Sequence, residues 1–245
     1  MNDVVMFHIG RCGSTLLSNI LGQHSLIESR GEIFIPFMKQ KAKGETVPTI
    51  DDILLNQKGI KQKNIQLFEL KFLAEQHLSL YNLEIEEFIE TCFNYGYNRF
   101  IVLERKNYLR RMISHCVSQE SNIFHVNQNQ EIKLTKIELN LSNIKVGIKS
   151  HSLIDWLKII SDSYEKIRLT LSNYDFCDIV YEDDLLKDAS IGYNKVCNYL
   201  NITPESINIT TKRINPFRLQ DILINYKEVD NYLHNTIFEW MLYEN

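Results

Sequence analysis

Residues 4–32, VVMFHIGRCGSTLLSNILGQHSLIESRGE, decide the fold of this chain. The first six form an apolar run of the length typical of a buried parallel strand. Gly10 and Gly13 interrupt that run, and leucine and isoleucine then recur at helical spacing over residues 16–21. The pattern predicts a strand, a tight glycine turn and a helix that Ser14 or Thr15 can cap.

A turn of this kind is suited to bind an anion. Backbone N–H groups and the positive end of a helix dipole converge on it, and Arg11 and two hydroxyl groups surround it. We therefore predict a phosphate or sulfate site at residues 10–15, with an ordinary strand-to-helix connection as the alternative. The Walker A pattern is absent, because no lysine directly precedes the hydroxyl residues, and this disfavours ATP and GTP.

The composition is that of a globular protein with one sizeable core. The chain has 245 residues, of which 44% are hydrophobic and 24% charged, and we predict a single domain over residues 1–245. A net charge of -4 and a pI near 6.0 disfavour nucleic-acid binding through phosphate neutralisation.

Location and metal content can also be predicted from the sequence. The longest apolar stretches fall well short of a membrane span, so we expect a soluble protein without an integral membrane segment. Five scattered cysteines, without CxxC spacing, fit a reducing cytoplasm better than a disulfide framework. The seven histidines lack ligand spacing, so we expect no metal.

A second strand-to-helix junction is predicted near the middle of the chain. Residues 100–103, FIVL, form a buried strand that leads through Arg105 and Lys106 into a helix over residues 108–117. Ligands bind at the carboxyl ends of parallel strands, and the planar guanidinium of Arg105 suits a phosphate. Arg110 and Arg111 we interpret as a solvated helix face.

The remaining segments complete an α/β pattern. Residues 39–63 are rich in lysine and indicate a solvated surface excursion, with a lid over an acceptor pocket as the alternative. Residues 118–150 predict a loop followed by a short strand or edge ribbon over 132–139. Further strands are predicted at 26–27 and 178–181, and further helices at 83–95, 152–169, 191–200 and 221–242.

Several of these blocks resemble the sulfotransferases that use 3′-phosphoadenosine-5′-phosphosulfate (PAPS). Residues 7–17, FHIGRCGSTLL, are similar to the 5′-phosphosulfate loop in the R-x-G-[ST]-T branch, which includes tyrosylprotein and bacterial carbohydrate sulfotransferases. Residues 23–32 resemble the "HP…GE" segment that follows this loop. Residues 101–114 resemble the 3′-phosphate-binding segment, and residues 181–185, YEDDL, resemble the "YEDL" block.

The resemblance implies a three-layer, P-loop NTPase-like α/β fold with a central, mostly parallel sheet flanked by helices. It also implies sulfuryl transfer from PAPS to an acceptor hydroxyl, with 3′-phosphoadenosine-5′-phosphate as product and no metal required. A carbohydrate or glycolipid is the first choice of acceptor, ahead of a tyrosine peptide or another small molecule. The alternatives are a P-loop small-molecule kinase that needs magnesium and a catalytically silent nucleotide-binding protein.

The resemblance further implies the site residues. Glu32 is the expected base, while His24 matches a histidine that is usually structural in the family and Glu28 matches less well. Lys106 can share or replace the role of Arg105, since the interval from Arg105 to the matching serine is one residue longer than in the common form. The predicted catalytic residues are Glu32 and Arg11, and the predicted cofactor-binding residues are Arg11, Cys12, Gly13, Ser14, Thr15, Leu16, Arg105, Ser114, Tyr181, Lys212 and Arg213.

Overall fold

The computed structural model describes residues 3–73, 81, 83–123, 131–147, 149–210 and 216–243. Their contacts define two compact units. The first unit comprises Met1–Glu104 and Ser163–Asn208, and the second comprises Arg105–Asp162 and Ile209–Asn245. Compact units of this kind can belong to one domain, so the single domain over 1–245 stays a prediction.

Strands and helices alternate along most of the described chain. The strands are β1 (Asp3–His8), β2 (Ile27–Ser29), β3 (Ile65–Lys71), β4 (Tyr97–Glu104), β5 (Ile144–Val146), β6 (Lys149–His151) and β7 (Phe176–Val180). The helices are α1 (Ser14–Gly22), α2 (Ile35–Ala42), α3 (Ile50–Gly59), α4 (Ile85–Asn94), α5 (Tyr108–Ser121), α6 (Leu153–Thr170), α7 (Ala189–Tyr199), α8 (Leu219–Ile222) and α9 (Tyr226–Leu233). Short 3₁₀ turns at Leu171–Asn173 and Glu239–Leu242 and a π-helical turn at Tyr181–Leu185 complete the described elements.

A parallel sheet forms the centre of the first unit. Among the described residues it has the order β2-β3-β1-β4-β7, with β1 hydrogen-bonded to β3 on one side and β4 on the other. Parallel neighbours require crossover connections, which the intervening helices supply. The winding changes direction between β1 and β4, and ligands of open α/β sheets bind outside the carboxyl ends of the strands at such a point. The predicted α/β fold with a central, mostly parallel sheet is confirmed.

The two faces of the sheet are covered by different helices. Side chains alternate along β1, so that Phe7 and His8 point to opposite faces. The ring of Phe7 packs edge-on against Phe88 of α4, with centroids 6.5 Å apart. On the other face, Ser18 of α1 hydrogen-bonds Glu69 of β3, and α1 packs against α7. Helices therefore flank the sheet on both sides.

The lysine-rich segment over residues 39–63 is only partly a solvated excursion. Asp3 is buried at the start of β1, and its carboxylate pairs with Lys58 and lies 2.7 Å from the Lys61 ammonium. Lys63 donates to three backbone carbonyls around the end of α1 and the start of β2. A buried carboxylate requires such partners, and these lysines bind α3 and the turn after it to the sheet. Residues 41–46 alone form a continuous exposed stretch.

The prediction of solvated arginines on α5 is wrong. Arg110 and Arg111 are only 7% and 1% exposed, and a guanidinium N–H of Arg110 donates to the Phe217 carbonyl at 2.7 Å. Asn107 caps α5 by accepting from the Arg110 N–H at 2.9 Å. Its own amide donates to the Met241 carbonyl, also at 2.9 Å. The sequence pattern predicts charged side chains at the surface, whereas the side chains of Arg110 and Arg111 are buried within the second unit.

The strand predicted over residues 132–139 is also wrong. These residues contain one isolated bridge, between Ile137 and Leu223, and the antiparallel ribbon lies later, where β5 pairs with β6. Alternating polarity indicates a half-buried strand only when a partner strand lies alongside. The later ribbon is held in place by Trp156, whose indole N–H donates to the Ile144 carbonyl at 2.7 Å.

No helix in the described part of the chain is both long and apolar enough to span a bilayer.

Candidate functional site

The loop between β1 and α1 is built from left-handed residues. Gly10, Arg11 and Gly13 have φ of 81°, 59° and 90°. Glycine adopts these values at little cost, but a left-handed arginine costs roughly 1–2 kcal/mol, so the surrounding structure must hold Arg11 in place. Concave loops of this type direct successive backbone N–H groups toward one point and bind anions.

The helix that follows is capped by Gly13, and not by Ser14 or Thr15 as expected. The Leu17 N–H donates to the Gly13 carbonyl at 3.0 Å, and Ser14 and Thr15 are the first two helical residues. Glycine has no side chain with which to satisfy the N–H groups of the first turn. The positive end of α1 therefore opens directly onto the loop.

Tyr181 lies against this loop. A Cβ atom added to Gly13 would lie 2.8 Å from Cδ2 of Tyr181, so the ring is in close contact with the glycine backbone. Tyr181 begins the π-helical turn that contains the YEDDL block. Asp184 holds this turn by accepting from the Val180 N–H at 2.7 Å and from the Lys195 ammonium at 3.1 Å. The block thus positions the tyrosine beside the predicted anion site.

Strand β2 carries Glu32 toward the same edge of the sheet. The pairing of β2 with β3 continues past the strand, because the Arg30 N–H donates to the Leu67 carbonyl and the Glu69 N–H donates to the Gly31 carbonyl, both at 2.8 Å. Gly31, at a φ of 61°, then turns the chain. The Glu32 carboxylate ends 2.7 Å from the ammonium of Lys71, the last residue of β3. The second strand therefore delivers the predicted base to the carboxyl end of the sheet.

Lys71 is a candidate site residue that the sequence analysis missed. Its Cε lies 3.3 Å from the position of a Cβ built on Gly10, so its side chain runs along the loop to reach Glu32. It supplies a cation to a loop that lacks the Walker lysine. A signal was present, since residues 65–71, IQLFELK, form a strand-like run that ends in lysine, but we assigned no strand there.

His8 and Glu69 form a buried pair beneath the loop. Nε2 of His8 lies 3.1 Å from the Glu69 carboxylate, and Nδ1 accepts from the Gly10 N–H at 3.0 Å. Burial alone would lower the pKa of His8, but hydrogen bonds to Cys12 and Glu69 outweigh it and raise that pKa. Burial likewise opposes ionisation of Glu69, yet the contacts with His8 and Ser18 together outweigh it and lower the carboxyl pKa. Glu69 is therefore an ionised acceptor.

His8, Glu32 and Glu69 have the spacing of metal ligands. One candidate ligand atom from each lies within 4.8 Å of the others. Each carboxylate already faces a protein partner, His8 for Glu69 and Lys71 for Glu32. The sequence did not indicate this grouping, because the three residues are far apart in the chain. The absence of a metal requirement stays a prediction.

The two alternative bases, His24 and Glu28, are occupied elsewhere. Nδ1 of His24 accepts from the Leu26 N–H and Nε2 lies 3.0 Å from the Thr203 carbonyl, so this buried ring joins two backbone segments. The carboxylate of Glu28 pairs with Arg30 at 2.9 Å and accepts from the Gln62 N–H. The geometry therefore favours Glu32 over both.

The residues predicted to bind the 3′-phosphate belong to the second unit. Arg105 and Ser114 are only 8% and 6% exposed, whereas Lys106 is exposed. Lys212 and Arg213 lie outside the described residues.

Comparison with known proteins places the fold. No protein-family model matches the chain, and no curated protein matches it in sequence. Solved structures do match. A sulfotransferase from Alicyclobacillus acidocaldarius aligns over 100% of this chain and 97% of its own, with 10% identity and a TM-score of 0.54. This chain has the sulfotransferase fold.

A second solved structure has the same fold. The sulfotransferase domain of the Synechococcus PCC 7002 olefin synthase aligns over 98% of this chain and 85% of its own, with 13% identity and a TM-score of 0.50. Identities this low establish the fold alone, and one fold can support different activities. The activity has to be argued from the loop, Glu32 and Lys71.

The close contact between Gly13 and Tyr181 gives a test of the loop geometry. Gly13→Ala adds left-handed strain of about 1–2 kcal/mol and a clash with the tyrosine ring of about 1–3 kcal/mol. Gly44→Ala is the matched control, since Gly44 has a φ of 76° with nothing within 4 Å of its added Cβ. Urea denaturation should show a loss at Gly13 that exceeds the loss at Gly44 by at least about 1 kcal/mol. Equal losses would show that Tyr181 does not abut the loop.

Proposed function

We propose that this protein transfers the sulfuryl group of PAPS to a hydroxyl group of an acceptor. The observation that carries the proposal is the loop over residues 10–15, where left-handed residues and the N-terminus of α1 meet beside a glutamate paired with a lysine. The loop, with Arg11, binds the 5′-phosphosulfate. The sulfotransferase fold supports this assignment.

Each group at the site has a part in the reaction. The acceptor oxygen attacks sulfur, and the bond from sulfur to the bridging oxygen of PAPS breaks to leave 3′-phosphoadenosine-5′-phosphate. Arg11 and the N–H groups of residues 13–16 stabilise the charge that develops on the leaving oxygen. Glu32 takes the proton of the acceptor hydroxyl, and Lys71, 2.7 Å from the carboxylate, orients it for that step.

The proposal also covers the residues that bind the nucleotide, the acceptor and the location of the protein. Tyr181 borders the nucleotide, and Arg105 with Ser114, joined by Lys212 and Arg213, binds the 3′-phosphate. The acceptor is a small molecule or saccharide, with a carbohydrate or glycolipid as first choice. The protein acts in the cytoplasm, where free thiols such as its five persist. One domain spans residues 1–245.

A transfer assay tests the activity. We expect the wild-type protein to move ³⁵S from labelled PAPS to members of a library of hydroxylated acceptors in the presence of EDTA. Arg11→Ala should reduce turnover by more than about tenfold, while Arg218→Ala, which removes an exposed guanidinium, should not. Magnesium-dependent phosphate transfer from ATP would instead establish a kinase, and PAPS binding without turnover on any acceptor would establish a silent binding protein.

Replacing Glu32 tests the base. Glu32→Gln keeps the shape of the side chain but cannot accept the proton, so turnover should fall by at least about a hundredfold while PAPS affinity stays within about threefold. Glu28→Gln is the matched control, because Glu28 lies on the same segment and pairs with Arg30. Full activity in Glu32→Gln would remove this residue from the mechanism. Calorimetry gives the affinity and the ³⁵S assay the turnover.

A pair of ligands tests Arg105. The wild-type protein should bind 3′-phosphoadenosine-5′-phosphate at least about tenfold more tightly than adenosine-5′-phosphate, since a guanidinium–phosphate pair is a strong, charge-assisted contact. Arg105→Ala should lose most of this discrimination. Lys106→Ala tests the alternative ligand, and it should keep the discrimination. If Arg105→Ala weakens both ligands equally, Arg105 acts away from the 3′-phosphate.

A further inference from the structure

The histidine that precedes the loop is not assigned a role by the proposed reaction. His8 is the last residue of β1 and is completely buried. It contacts the loop at two places, because Nδ1 accepts from the Gly10 N–H at 3.0 Å and the ring hydrogen-bonds the Cys12 side chain. On its other side, Nε2 lies 3.1 Å from the Glu69 carboxylate of β3. The ring thus connects the loop to the neighbouring strand.

These contacts determine which nitrogen carries the proton. Contacts with Cys12 and Glu69 raise the pKa of His8, but a second proton on Nδ1 would abolish the contact with Gly10, because a backbone N–H can only donate. The conformation of the loop therefore requires the neutral ring, with Nδ1 unprotonated. The proton of the ring then sits on Nε2, which faces the Glu69 carboxylate at 3.1 Å. Glu69 is held in turn by Ser18 of α1, whose hydroxyl lies 2.6 Å from that of Ser29. Strand β3 and helix α1 therefore both fix the orientation of the imidazole.

The loop has a strained conformation that needs such a support. Gly10 and Arg11 have successive left-handed φ values of 81° and 59°, and arginine adopts this region only when neighbouring contacts enforce it. The hydrogen bond from the Gly10 N–H to His8 fixes the orientation of the peptide unit between Ile9 and Gly10, where the left-handed turn begins. Polar groups are costly to bury in a sheet interior, and the contacts of His8 are with the loop and with Glu69.

We propose that His8 and Glu69 are positioning residues that hold the loop in its anion-binding conformation. Glu69 keeps the proton of His8 on Nε2, so that Nδ1 is available to the Gly10 N–H and Arg11 stays directed at the anion. The identity of the anion as PAPS rests on the proposed function, whereas the support of the loop by the pair does not.

Two isosteric variants separate the two contacts of the ring. In His8→Asn the amide oxygen takes the place of Nδ1, which retains the acceptor for Gly10 and loses Glu69. In His8→Gln the amide reaches the place of Nε2, which retains Glu69 and loses the acceptor for Gly10. Both variants replace the ring with one buried amide, so a general loss of stability would not by itself separate the Gly10 contact in the two.

The readouts are ligand affinity and the Gly10 amide resonance, both measured on the full chain. His8→Gln should bind 3′-phosphoadenosine-5′-phosphate about tenfold more weakly than His8→Asn. A change of this size corresponds to the loss of one hydrogen bond, here the bond that holds the Gly10 N–H. The ¹H–¹⁵N signal of Gly10 should stay at its hydrogen-bonded position in His8→Asn and move in His8→Gln. In the wild type, ¹⁵N shifts of His8 should show an unprotonated Nδ1 and a protonated Nε2.

Glu69→Gln provides a second test that keeps a hydrogen-bond acceptor for Nε2. Without the carboxylate charge the ring is less firmly oriented, so the Gly10 amide should exchange with solvent faster than in the wild type. Equal affinities and equal Gly10 shifts in His8→Asn and His8→Gln would overturn the proposal. If the wild type binds no PAPS, the proposed function fails, and the Gly10 signals, followed during titration with inorganic sulfate, still decide whether His8 supports the loop.

Discussion

The structure depends on one local constraint, the left-handed turn that joins the buried strand β1 to helix α1. A turn of three left-handed residues lets the chain reverse direction while the backbone N–H groups and the start of α1 face the same point. It also permits close packing, because Gly13 has no side chain and the ring of Tyr181 can contact its backbone. A side chain at this position would separate the YEDDL block from the loop.

Polar groups at the site are paired across neighbouring strands. Glu32 follows β2 and pairs with Lys71 at the end of β3, while His8 ends β1 and pairs with Glu69 of β3. Strand β3 lies between β2 and β1, so it can supply a partner to each side. A buried polar side chain at the carboxyl end of a central strand needs a polar partner, and the neighbouring strands can supply one. These polar residues therefore occur together.

The positions that sequence reasoning missed have a common physical cause. Lys71 and Glu69 lie in a segment with both apolar and charged residues, and such a pattern does not reveal that the charges belong to a buried site. Arg110 and Arg111 were predicted to be solvated because arginine is usually exposed. A guanidinium group can be buried when a carbonyl accepts a hydrogen bond from it, as the Phe217 carbonyl does from Arg110. The edge ribbon was misplaced because a strand needs a partner that periodicity alone does not identify.

By itself the sequence determined the strand–turn–helix at residues 4–22, the α/β class and the position of Glu32 after a short second strand. These features follow from local patterns, in which apolar runs, glycines and helical spacing restrict the backbone directly. Only the tertiary structure decided that Glu32 meets Lys71, that His8 supports Gly10, and that Gly13 rather than a hydroxyl residue caps α1. The reason is that contacts between parallel strands depend on strand order and register, which residues far apart in the chain establish together.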